Sequence, residues 1–170
     1  KVTAKAAGTA VITATSAAGK TAQYKLTVKT PSVKMNASAK TLYVKGSPAT
    51  VTLKATTAGV TGKVTYTSSK PSVVAVAANG KVTAKAAGTA VITVKCGNYK
   101  ATCKITVKKP SVKASASAKT VFVGGTSQIK VEKTGVSGKV TYTSSNKSVA
   151  VVSAGGKVTA KKAGTATITV

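Results

Sequence analysis

The chain has 170 residues, a hydrophobic fraction of 42% and a formal net charge of +26, made by 27 lysines against a single acid, Glu132. It holds no His, Arg, Asp or Trp. Chemistry that needs paired carboxylates, an imidazole or a calcium cage of acidic oxygens is therefore excluded. No apolar run approaches the ~18 residues of a membrane span. The first residue is Lys1 and no targeting segment is visible, so the chain reads as a fragment or a processed product.

In chain order the first signal is repetition. "KVTAKAAGTAVIT" opens at Lys1, returns letter for letter at Lys81, and returns at Lys157 as "KVTAKKAGTATIT". "PSVK" occurs at Pro31 and Pro110, and "GKVTYTSS" at Gly62 and Gly138. These anchors divide the chain into the last third of a repeat (1–30), a complete repeat (31–109) and a repeat lacking its last strand (110–170). Sequence beyond this window in the same protein is the simpler way to complete both ends. Head-to-tail strand donation between copies, with residues 22–28 as the donor, is the alternative.

Within the complete repeat the dominant period is two. Val82 and Ala84 alternate with Lys81, Thr83 and Lys85, and Val64 and Tyr66 with Lys63, Thr65 and Thr67. The same alternation sets Val51 and Leu53 inside, and Ile105 and Val107 inside. Such patterns mark strands with one buried and one wet face. Gly, Asn, Pro and Ser clusters punctuate them at 45–48, 57–62, 68–72, 78–80 and 86–88. The spacing predicts strands near 33–37, 41–45, 49–55, 62–67, 73–77, 80–85, 89–95 and 99–107. Seven or eight short strands in about 80 residues predict a β-sandwich. Its core is expected to rest on small aliphatics and one strand tyrosine, Tyr66 or Tyr142.

The run "VTYTSSKPSVVAVAANGKVTAKAAGTAVITV" (64–94), repeated as "VTYTSSNKSVAVVSAGGKVTAKKAGTATITV" (140–170), resembles bacterial immunoglobulin-like domains of group 2. Such domains occur in tandem in bacterial surface proteins, including intimin- and invasin-type adhesins, and in some phage virion proteins. The resemblance implies an all-β fold of tandem immunoglobulin-like β-sandwiches, on a bacterial cell surface or otherwise extracellular. It implies no single ligand, because the family serves as binder and as spacer. This chain departs from many relatives in carrying Ala, Asn or Gly where they carry acid, so acid-dependent cation binding does not transfer.

No catalytic, cofactor-binding or metal-binding residue is expected, and the chain is not expected to be an enzyme. "SSNK" (144–147) and "KTG" (133–135) imitate serine acyl-transferase motifs, but in reversed order and in turns. Cys96 and Cys103 flank "GNYKAT", and a hairpin centred near Tyr99–Lys100 would set them opposite one another and join them by a disulfide. A Lys–Asn isopeptide bond, known in other bacterial surface Ig-like domains, needs a buried acid. Glu132 is the sole acid, and with Ile129 and Val131 inward it faces out. "NAS" (36–38) and "NKS" (146–148) fit the N-glycosylation pattern, a chance match in a bacterial protein.

Charge directs the functional reading. Evenly spread lysines suit anionic partners: wall polymers, acidic glycans or a host surface. Nucleic acid is disfavoured, because the lysines are not clustered and arginine is absent. The expected role is a non-catalytic structural or adhesive segment of a surface or fibre protein. The alternatives are a spacer or carbohydrate-binding accessory of a larger extracellular enzyme, and a phage or filament decoration unit. Partner-binding residues are not legible.

Overall fold

A computed structural model describes all 170 residues. They form seventeen strands and no helix. In chain order these are β1 (Gly8–Thr15), β2 (Thr21–Val28), β3 (Ser32–Met35), β4 (Ala39–Tyr43), β5 (Thr50–Thr52), β6 (Ala55–Ala58), β7 (Thr65–Ser68), β8 (Val74–Val76) and β9 (Lys81–Ala84). They continue as β10 (Gly88–Cys96), β11 (Tyr99–Lys108), β12 (Ser111–Ala116), β13 (Thr126–Thr134), β14 (Thr143–Ser144), β15 (Ala150–Val152), β16 (Lys157–Ala160) and β17 (Ile168–Thr169). The strands order into sheets as β4-β11-β10-β7, β5-β9-β8, β3-β6, β1-β2, β12-β13-β16-β15 and β14-β17. This is the all-β sandwich class expected from the period-two pattern, in the immunoglobulin-like form that the resemblance implies.

Contacts divide the chain into two compact units. Lys1–Lys40, Val51–Thr83 and Thr89–Ile105 form the first, and Thr41–Thr50, Ala84–Gly88 and Thr106–Val170 form the second. The first is built on alternation. On β10, Ala90, Ile92, Val94 and Cys96 are sealed from solvent, while Thr89, Val91 and Lys95 are exposed. Leu53, Val74, Val82, Cys103 and Ile105 complete that core, each fully buried. Each Val, Leu or Ile so buried contributes roughly 1.5–3 kcal/mol relative to exposure. A satellite cluster of Val33, Val94 and Cys96 packs with Met35, Ala55, Val60, Val64, Tyr66 and Ala101.

The segment expected as one strand over 49–55 is two, β5 and β6, which join different sheets: β5 pairs with β9, and β6 with β3. Asn36 holds the crossing. Its Oδ1 accepts from the Lys54 amide at 3.0 Å, and its own amide donates to the Lys54 carbonyl at 3.0 Å. Tyr66 fixes the far side, its hydroxyl accepting from the Ala55 amide at 3.0 Å. The partners of these bonds are 18 and 11 residues apart in sequence, so local periodicity carries no sign of the break.

In the second unit, Leu42, Val107, Ile129 and Ala150 are buried. The buried Ser127 is fully engaged: its hydroxyl donates to the Ala118 carbonyl at 2.6 Å and accepts from the Ala118 amide at 3.1 Å. One corner occurs in both units. Leu53 N donates to Gly80 O at 2.9 Å, with the Tyr66 ring beside Gly80. Ile129 N donates to Gly156 O at 2.9 Å, with the Tyr142 ring beside Gly156. Both glycines sit at positive φ, 79° and 80°.

Candidate functional site

The β10–β11 hairpin turns at Gly97 and Asn98, with Gly97 at φ 55°. A two-residue loop of this kind pairs the flanking residues Cys96 and Tyr99. Lys95 then stands directly opposite Lys100 on the outer face. Lys100 and Lys104 are both exposed and four residues apart, about 13 Å along the strand, with Thr102 between them. Like charges set opposite one another destabilise a hairpin. The one acidic side chain in the protein lies elsewhere: Glu132 on β13 is exposed and paired in register with Lys113 on β12. Ile129 and Val131 face inward beside it, as the alternation requires.

The turn position corrects the expected disulfide between Cys96 and Cys103. Both are free thiols, and both are buried. The hairpin centres on Gly97–Asn98 instead of Tyr99–Lys100. Burial alternation and this turn place Cys103 opposite Ile92, about 13 Å along the ladder from Cys96. That is far outside disulfide reach. The Cys96 thiol donates to the Gly62 carbonyl at 3.3 Å. Cys103 is fully buried, and burial pushes its thiol above the ordinary value while the Lys40 ammonium pulls the other way. Both cysteines serve as core residues, a common use of free cysteine.

The remaining motif residues are tied to structure. Ser144, first of "SSNK", donates to the Ala150 carbonyl at 2.7 Å at the end of β14. Lys133, first of "KTG", donates to the Gly138 carbonyl at 2.6 Å. The Asn36 carboxamide braces the β5–β6 crossing, and Asn146 Oδ1 accepts from the Ser148 hydroxyl at 2.6 Å. The second unit also holds a groove of about 880 Å³ between Ala114, Val121, Ile129, Val158 and Ile168, with Phe122 on its rim. Its lining contains no carboxylate, imidazole or thiol. No helix is long and apolar enough to cross a membrane.

Residues 62–109 match the sequence profile of the bacterial Ig-like domain, and residues 105–170 that of the bacterial Ig-like domain, group 2. Over residues 62–170 the chain belongs to the bacterial Ig-like domains. No curated protein matches it. Among solved structures, the bacterial Ig-like chain is similar to domains 4 and 5 of the S-layer protein SbsC, at 26% identity and a TM-score of 0.51. That likeness covers 82% of this chain and 90% of the other. It is also similar to SbsC domains 1–6 (21% identity, TM-score 0.53) and to SbsC residues 31–844 (21%, 0.54). Each of these two matches takes in 99% of the Ig-like chain, which spans 34% of the longer protein's length.

Proposed function

We propose that the chain is a non-catalytic structural and adhesive segment of a bacterial surface or extracellular protein. In this reading it comprises tandem Ig-like repeats over 1–30, 31–109 and 110–170, and its lysine faces hold anionic polymers such as wall polymers or acidic glycans. The likeness to domains of SbsC, an S-layer protein, supports the surface setting. The observation that carries the anionic partner is the outer face of β10–β11. Lys95, Lys100 and Lys104 are set there on a hairpin with a packed inner face, and the chain has almost no acid to neutralise them.

Attraction of this kind falls with salt, since the Debye length shrinks from ~8 Å at physiological ionic strength to ~3 Å at 1 M. The chain is expected to bind immobilised heparin, used as an acidic glycan, at low salt and to elute well below 1 M. It should ignore neutral dextran. Replacing Lys95, Lys100 and Lys104 together by Gln should bring elution to lower salt with the melting transition preserved. Retention that ignores salt, or a triple variant eluting with the parent, would remove this reading and leave a spacer role.

A further inference from the structure

The outer face of β7, β10 and β11 carries an order beyond its charge. Register sets Thr93 on β10 directly opposite Thr67 on β7, and Lys95 opposite Thr65. The turn at Gly97 and Asn98 sets Thr93 opposite Thr102 on β11, on its other side. Thr67, Thr93 and Thr102 thus form a row of hydroxyls across three strands, neighbours standing about 4.8 Å apart. Lys95 and Lys100 lie one two-residue step, about 7 Å, to one side of that row, and Lys104 lies one step to the other. Thr67, Thr102 and the three lysines are exposed, and Thr93 is half-buried.

The strands that carry this face are held from behind. Ile92, Val94 and Cys103 alternate with its side chains and are fully buried, so the row is in place before any ligand arrives. The Thr67 hydroxyl makes one long bond within the protein, to the Thr93 carbonyl at 3.5 Å. A bond of that length is weak, and a better acceptor displaces it. The Thr67–Thr93 pair recurs in the second unit, where Thr143 stands opposite Thr169. Tyr66 packs into the core, and no aromatic side chain of β7, β10 or β11 alternates onto the outer face. A sugar ring would find no flat apolar platform there. A flexible chain that presents anions and seeks hydroxyl donors fits it better.

We propose that this face binds a polyol phosphate, a polymer of phosphodiesters joined by short carbon spacers, lying along the strands. The inference rests on the anionic-polymer reading and names the class of polymer. With three carbons between phosphodiesters, six single bonds separate successive phosphorus atoms, roughly 7 Å when extended at ordinary bond lengths. That matches the two-residue step from Lys100 to Thr102 and from Thr102 to Lys104. One phosphodiester lies at Lys95 and Lys100, the next accepts hydrogen bonds from the threonine row, and the third lies at Lys104. Each carries a single negative charge, which suits the point charge of an ammonium. The free oxygens of the middle one are acceptors, and each threonine hydroxyl is a donor.

The probe is synthetic poly(glycerol phosphate), titrated into the intact chain, with heparin retention measured beside it. Thr67→Val, Thr93→Val and Thr102→Val made together keep the charge and the β-branching. They should weaken poly(glycerol phosphate) binding about tenfold, the loss of one or two neutral hydrogen bonds. The slope of affinity against salt, which counts ion pairs, should stay the same, and so should elution from heparin. Thr67→Ser, Thr93→Ser and Thr102→Ser made together keep the hydroxyls and should bind as the parent does, which separates their loss from any loss of fold. Valine variants that bind like the parent, serine variants as weak as the valine ones, or an equal loss of heparin retention would overturn the role of the row. A parent that salt elutes from heparin but that does not bind poly(glycerol phosphate) would overturn this inference and leave the anionic-polymer reading in place. A parent that binds neither would remove both.

Discussion

At the scale of single residues, burial decides what the cysteines do. Cys103 keeps its proton more tightly in the folded chain than in the unfolded one, because burial disfavours the thiolate. Above about pH 8.5, the ordinary thiol range, the unfolded chain therefore releases that proton first. The unfolded state then binds fewer protons, so stability falls as pH rises. Denaturant midpoints measured from pH 7 to pH 9.5 should decline more steeply for the parent than for Cys103→Ala, which has no thiol there to titrate. Alkylating reagents should leave both cysteines untouched until the protein unfolds.

At the scale of elements, the tyrosine–glycine corner joins strand to turn. Gly80 sits at φ 79°, beneath the Tyr66 ring and against the Leu53 carbonyl. A methyl group there meets both a left-handed backbone cost and a steric one, together about 2–4 kcal/mol. Gly80→Ala should lower the denaturant midpoint accordingly, and Tyr66→Phe should cost less, about 1 kcal/mol for the lost bond to the Ala55 amide. The corner was half legible beforehand. "ANG" announced a turn and Tyr66 an inward ring, because both follow from local rules. That the ring would lie on that glycine was not legible, since the contact joins positions 14 residues apart through the fold. The break between β5 and β6 was hidden for the same reason. The disulfide expectation failed on a shift of two residues in one hairpin turn, where "CGNYKATC" offered Gly97–Asn98 and Tyr99–Lys100 as rival centres and the glycine at positive φ won.

At the scale of the whole molecule, a net charge of +26 on 170 residues is a self-repulsion that every buried contact must exceed. Raising the ionic strength from 0.01 M to 0.1 M shortens the Debye length from ~30 Å to ~10 Å. The thermal midpoint should therefore rise across that range, by several degrees for a domain of this size. A scanning melt in sodium chloride reads it directly, and a midpoint indifferent to salt would show that the lysines are too far apart to repel. Lysine-to-glutamine changes on one outer face should reduce this salt response while weakening the retention of anionic polymer.

The sequence by itself determined the class of structure and which side of each strand faces water, because alternation and turn residues act locally. It also determined that Glu132 is the single acid among these 170 residues. The tertiary structure decided which sheet each strand joins. The single alternation over 49–55 splits into β5, which pairs with β9, and β6, which pairs with β3. The reason is physical: a strand's hydrogen bonds and its buried face are both supplied by neighbours, and those neighbours are distant in sequence.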